Sequence, residues 1–179
     1  ELALKRKKKV THITKSNTLI NSLTYWDKII KEVAAAYPEV EHQQMYIDAT
    51  SANFVLKPEI FDVVLTTNLF GDILSDLGGA LMGSLGLGGS GNINPEREFP
   101  SMFEPIHGSA PDIAGQKIAN PYGQIWSGAL MFEHLGEAGA AKQIIDAMDK
   151  STSRGILPVD LGGKYKTDEI AREIIKSIE

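Results

Sequence analysis

The chain has 179 residues, no cysteine and a formal net charge of −5, with 42% hydrophobic and 23% charged residues. That is the composition of a globular protein of one domain or parts of two. It excludes a disulfide framework or thiolate metal site, and the acidic balance argues against a general nucleic-acid binder. No apolar run approaches the ~20 residues of a membrane span and the start lacks a signal-peptide layout, so a cytoplasmic protein with no membrane partner is expected.

Glu1-Leu-Ala-Leu-Lys5 reads as the end of a helix already under way. The basic run Lys5-Arg-Lys-Lys-Lys9 is then its solvated end, since cations favour helix C-termini. The rival reading of that run is a nucleic-acid or lipid patch. Residues 10–14 alternate as a strand does. Residues 24–37 predict a helix with Trp26, Ile29, Ile30, Val33 and Ala34 on one face, stopped by Pro38. Residues 44–47 read as a short strand ending at Asp48, and 49–56 as a helix. Residues 62–66 are a buried strand of the parallel-sheet type. Asn68-Leu-Phe-Gly71 reads as a turn, after which Asp72 opens another helix.

Residues 78–91 are crowded with glycine, and a domain boundary is expected near Met82, between 1–82 and 83–179. Residues 92–121 carry little helical or strand period, and so long an irregular stretch is usually functional or mobile. Helices are expected at 122–135, apolar nearly all round, and at 137–150, with Ala141, Ile144, Ile145 and Met148 inward. Thr167 is expected to cap a last helix with Ile170, Ile174 and Ile178 inward. The pattern is α/β.

Asp72 and Asp76 stand at i and i+4, where like charges destabilise a helix by ~0.2–0.5 kcal/mol. Mg²⁺ or Mn²⁺ relieves that repulsion, and the pair lies near a strand's carboxyl end, where α/β proteins place ligands. The bland alternative is two acids on a wet helix face. Asp48 repeats the strand–acid–helix arrangement and reads either as a ligand or as an N-cap. Lys15, in Thr14-Lys-Ser-Asn17, is a candidate general base or a surface charge. The loop Glu104-Pro-Ile-His-Gly-Ser-Ala-Pro-Asp112 allows close backbone approach and offers polar groups, as a nucleotide loop would. It has neither the Rossmann glycine fingerprint nor a P-loop Lys-Ser/Thr, so ligand loop and structural loop stay open on physics alone.

Asn68-Leu-Phe-Gly-Asp-Ile-Leu-Ser-Asp76 and Phe103-Glu-Pro-Ile-His-Gly-Ser-Ala-Pro-Asp112 resemble, in order and spacing, the two signature segments of the β-decarboxylating dehydrogenases. Thr14-Lys-Ser-Asn17, Tyr46-Ile-Asp48 and Ile118-Ala-Asn-Pro121 fit the same template, and the resemblance runs over essentially the whole chain. It implies the isopropylmalate dehydrogenase-like two-domain α/β fold, with this chain as the C-terminal half. Residues 1–82 would be part of the central substrate and dimerisation domain, and 83–179 part of the nucleotide domain.

The implied activity is NAD- and Mg²⁺- or Mn²⁺-dependent oxidative decarboxylation of a small 2-hydroxy acid. By resemblance Lys15 is the base, and Asp48, Asp72 and Asp76 hold or frame the metal. Asn17 faces substrate and nicotinamide, and Glu104 lies near the nicotinamide end. His107, Gly108, Ser109, Ala110, Asp112 and Asn120 surround the adenosine. The implied assembly is a homodimer with shared sites, in which Lys15 and Asp48 of one chain face Asp72, Asp76 and Asp112 of the other.

The family chain is about twice this length, so a fragment inactive alone is expected. The carboxylate-gripping arginines and the general-acid tyrosine of the family are not in these residues. Asn92-Ile-Asn-Pro-Glu-Arg97 and Ile125-Trp-Ser-Gly-Ala-Leu-Met131 look closer to the tartrate/D-malate dehydrogenase branch, with isopropylmalate dehydrogenase as the alternative. A non-catalytic nucleotide-binding module is the rival from another class. Damage to Lys15 or the acids would favour it, and all are intact.

Overall fold

A computed structural model describes residues 1–178. The chain divides into two compact units, Glu1–Gly78 and the residues from Gly79 onward.

The first unit is built on a three-stranded parallel sheet of order β2-β1-β3. Its strands are β1 (Lys9–Thr14), β2 (Glu41–Tyr46) and β3 (Val63–Leu65). In the centre, β1 pairs with β2 from Lys9↔Glu41 to Thr14↔Tyr46, and with β3 from Val10↔Val63 to His12↔Leu65. A central parallel strand is covered on both faces, so β1 does not divide into a wet and a dry side. Thr11, His12, Ile13 and Thr14 are all buried.

Helix α1 (Leu23–Ala34) buries Leu23, Asp27 and Ile30 at i, i+4 and i+7. The wider apolar face expected of it is partly open, with Val33 56% exposed beside a groove also lined by Leu4, Val10 and Leu65. Helix α2 (Ile47–Leu56) begins ahead of Asp48, which therefore sits in its first turn while Tyr46 occupies the N-cap. Asp48 is not the N-cap that the sequence allowed.

Helix α3 (Asn68–Leu81) starts where a turn was expected. Gly71 serves close approach there rather than a reversal, since a Cβ on it would lie 3.1 Å from Thr66 Cγ2. Phe70 and Leu74 enter the core with Ile13 and Leu23, and Leu77 packs against them. Ile73 and Leu81, hydrophobic and at helical spacing from Leu74 and Leu77, are by contrast 53% and 48% exposed.

Leu2–Lys5 form a short 3-10 turn. Within the basic run, Arg6 Nε lies 2.8 Å from Asp62 Oδ1 and Lys9 Nζ 3.4 Å from Glu41 Oε1.

In the second unit, β4 (Gly89–Asn92), at the end of the glycine-crowded stretch, pairs antiparallel with β5 (Met102–Pro105), which lies in the region read as irregular. Glycine and serine leave β4 without a side-chain pattern, and β5 ends in proline after a single alternation. Helices α4 (Tyr122–His134), α5 (Ala138–Ser153) and α6 (Thr167–Ile178) surround a core of Tyr122, Ala147, Ile170 and Ile174.

Three helix expectations are corrected here. α4 is not buried all round, since Met131 is 37% exposed. The buried spine of α5 is Ala141, Ala147 and Ser151, with Ile144 and Ile145 only half-buried, because small residues let the helix approach its neighbours. α6 is capped by Glu169, whose Oε2 accepts from Lys166 N at 2.8 Å, while Thr167 lies inside the helix and donates to Ala119 O. Ile178 of α6 is 41% exposed. Among the described residues no helix is long and apolar enough to cross a membrane.

Two helical glycines separate packing from propensity. A Cβ on Gly123 of α4 would meet the carbonyl oxygens of Gly86 and Gly88 at 2.9 Å, whereas one on Gly139 of α5 would meet nothing within 4 Å. Gly139→Ala should stabilise the protein by about 0.5 kcal/mol through helix propensity. Gly123→Ala should cost about 1–3 kcal/mol despite the same propensity gain. Urea unfolding midpoints of the two variants check the opposite signs.

Candidate active site

Because Thr14 and Tyr46 are partners in register, β1 and β2 end level with each other. Lys15 leaves one strand end and Asp48 follows the other, inside the first turn of α2. Lys15 Nζ donates to Asp48 Oδ1 at 2.7 Å and lies 5.8 Å from the centre of the Tyr46 ring. The hydrogen bond from Lys15 is the main force holding the Asp48 carboxyl below the usual carboxylate range, helped by the backbone N–H groups of Asp48 and Ala49. Those amides are unpaired donors of a helix N-terminus, which favour an anion. The chain then turns, with Thr18 N and Leu19 N both donating to Lys15 O, at 2.9 and 2.8 Å, leaving Asn17 exposed.

Asp72 and Asp76 are exposed on α3. Neither is ion-paired among the described residues, and no group of three or more His, Asp or Glu there stands close enough to hold a metal. A single copy therefore brings Lys15 to Asp48 and leaves Asp72 and Asp76 apart from them. As hard oxygen donors free of a competing cation, the α3 pair fits a divalent metal.

In the second unit, Glu104 on β5 is exposed opposite Ser90 of β4. His107 Nδ1 donates to Gly108 O at 2.9 Å. Gly108, Ser109 and Ala110 lie exposed, and a Cβ on Gly108 would meet nothing within 4 Å. Ala110 adopts φ 41°, ψ 62°, turning the chain into a 3-10 turn at Pro111–Ile113 whose first turn carries Asp112. Asp112 is exposed, and its carbonyl accepts from Gln116 Nε2 at 2.7 Å.

Asn120 is fixed at both ends of its amide. Its Oδ1 accepts from Tyr122 N at 2.9 Å, and its Nδ2 donates to Asp160 Oδ2 at 2.9 Å. Ser84 donates to the same Asp160 oxygen. Nothing in the spacing of the sequence pointed to Asp160 or Ser84. Asp27 was also missed, although a carboxylate between Leu23 and Ile30 on the buried stripe of α1 was the available signal.

Against this geometry the comparisons with known proteins are clear. Residues 1–174 match the isocitrate/isopropylmalate dehydrogenase family, and the chain belongs to it. It is 50% identical over 174 residues to a probable tartrate dehydrogenase/decarboxylase of Bacillus subtilis (strain 168), covering 97% of this chain and 49% of that protein. It is 47% identical over 184 residues to the decarboxylating D-malate dehydrogenase of Escherichia coli (strain K12), covering 99% and 51%. The crystal structure of isocitrate dehydrogenase from Methylococcus capsulatus superposes with a TM-score of 0.90 at 41% identity, over 95% of this chain and 50% of that one. The chain thus spans about half the length of the curated relatives it matches.

The Lys15–Asp48 contact has a direct test. Lys15→Met removes the hydrogen bond that lowers the Asp48 carboxyl, so Asp48 should titrate upward, toward the ordinary carboxylate range. Carbon-detected NMR titration of the Asp48 carboxyl in both proteins measures the change.

Proposed function

We propose that the intact protein is a metal-dependent, NAD-linked dehydrogenase that oxidatively decarboxylates a malate-type 2-hydroxy acid, in the manner of tartrate and D-malate dehydrogenases. The observation that carries this reading is the Lys15–Asp48 pair at adjacent strand ends, in a chain that also keeps Asp72 and Asp76 exposed and unpaired. The names of its relatives, at 47–50% identity, favour a tartrate or D-malate type of substrate.

As the neutral amine, Lys15 Nζ takes the proton of the substrate hydroxyl as the adjacent C–H gives up its hydride to NAD. Asp48 orients that Nζ, and Asn17 on the next turn faces the substrate. The β-carboxylate then departs as CO₂, its bonding electrons passing to the 2-oxo group, and the carbon is reprotonated. Bound Mg²⁺ or Mn²⁺, held by Asp72 and Asp76 with Asp48, supplies Lewis-acid polarisation of the hydroxyl and oxo oxygens.

Residues 1–82 serve substrate and dimer contacts, and 83–179 the nucleotide. Glu104 lies toward the nicotinamide, and His107, Gly108, Ser109, Ala110, Asp112 and Asn120 receive the adenosine. The exposed Asp112 carboxylate suits a ribose 2′-hydroxyl and repels a 2′-phosphate, which favours NAD over NADP. Asp72→Asn should weaken Mn²⁺ binding and lower turnover by orders of magnitude. Calorimetric metal titration with steady-state rates tests this, and unchanged values would remove the metal assignment.

The metal set is completed across a homodimer, Lys15 and Asp48 coming from one chain and Asp72 and Asp76 from the other. In support, the three acids do not gather within one copy, and Leu69 and Ile73 beside the α3 acids are 64% and 53% exposed. Such apolar faces suit an obligate two-fold interface. Mixing inactive Lys15→Met with inactive Asp72→Asn should restore activity toward about a quarter of wild type under random exchange, since half the dimers carry one intact site. Native mass spectrometry verifies the exchange, and mixed dimers without activity would refute a shared site.

A further inference from the structure

The segment bearing Lys15 is strapped from one side by two successive residues of α1. Trp26 Nε1 donates to Ile13 O at 3.1 Å, and Asp27 reaches across the end of β1. Asp27 is 7% exposed. Its Oδ1 lies 2.9 Å from His12 Nε2, and its Oδ2 accepts from Gln44 Nε2 at 3.2 Å. A carboxylate only accepts, so His12 Nε2 carries the hydrogen of that contact. His12 is fully buried, and its Nδ1 is closed off by His42 Nε2 at 3.0 Å.

Burial opposes the charge on Asp27, yet the polar side chains of Ser16, His12 and Thr14 outweigh it and hold the carboxyl below its ordinary range. The two donors that bond the carboxylate come from β1 and β2, at the cross-strand pair His12↔Gln44. A buried carboxylate is costly unless it is hydrogen-bonded. Here the bonds that satisfy it also tie together the two strands whose ends carry Lys15 and Asp48.

We propose that Asp27 is a positioning residue for the reaction: from α1 it bonds His12 of β1 and Gln44 of β2, and so holds the register from which Lys15 and Asp48 meet at the strand ends. The inference rests on the assignment of Lys15 as the base. Asp27 touches neither substrate nor cofactor.

Asp27→Asn keeps the size of the side chain but replaces one acceptor oxygen with a donor, which opposes His12 or Gln44. Gln44→Met removes a single donor and leaves the His12–Asp27 contact intact. In the intact protein, backbone amide exchange over residues 15–19, read by mass spectrometry, should quicken by about tenfold in Asp27→Asn and less in Gln44→Met, with α6 unchanged. Asp27→Asn should lower kcat by about 10²-fold, because a displacement on the order of 1 Å at a reacting group costs that much.

In a Lys15→Met background the same change should alter the residual rate by no more than about twofold, as expected when one residue acts through the other. Equal losses in both backgrounds would mean general destabilisation and overturn the proposal. Unaltered exchange over 15–19 in both variants would overturn it as well. If the wild-type protein shows no dehydrogenase activity, the functional reading fails, while the exchange measurement still decides whether Asp27 fixes the segment.

Discussion

The parallel register of β1 against β2 is the constraint on which the candidate site depends. Side chains in a strand alternate faces, so a slip of one residue would send every side chain of β1 to the opposite face. It would also part Lys15 from Asp48, since both are counted from the Thr14↔Tyr46 pair. The register is checked chemically as well as sterically. His12 and Gln44 are cross-strand partners, and both bond the carboxylate of Asp27. A slipped sheet would leave a buried carboxylate and a buried imidazole without their donors and acceptors, a large penalty in a dry interior.

Two polar contacts of this unit differ in kind. The side chains of Lys15 and Asp48 are 26% and 67% exposed, and an ion pair so open to water adds little to stability. Its consequence is directional, aiming an amine and a carboxylate at the same small volume beyond the sheet. The His12–Asp27 pair is buried and shapes the scaffold from which that aim is taken. A similar division holds in the second unit. There Asp160 is spent on orienting the amide of Asn120, while Asp112 is left exposed to meet whatever approaches.

The sequence showed what its residues could announce locally. The alternation of strands and helices made the α/β class legible, and the long motifs around Asp72 and Asp112 marked the family and each candidate residue. Helix facing was read less well. Ile73, Leu81 and Ile178 are hydrophobic and correctly spaced, yet exposed, because periodicity tells which residues share a stripe and not how wide the covering neighbour is. The β4–β5 pair was invisible because β4 is Gly-Ser-Gly-Asn, with no side-chain alternation to mark a strand. Gly71 looked like a turn and is a point of close helix–strand contact, a distinction that only the position of Thr66 supplies. The clamp of His12, Asp27 and Gln44 joins residues 15 and 17 positions apart, and no local pattern carries such a junction.

The left-handed backbone at Ala110 bears on the thermodynamics of recognition. Glycine would adopt φ 41° freely, along with many other conformations, whereas alanine has few alternatives once its neighbours hold it there. Proline on its C-terminal side narrows the choice further. The configurational entropy of this bend is therefore surrendered when the chain folds, before any ligand arrives. A molecule docking on the loop then meets a surface already shaped, and more of its contact energy survives as affinity.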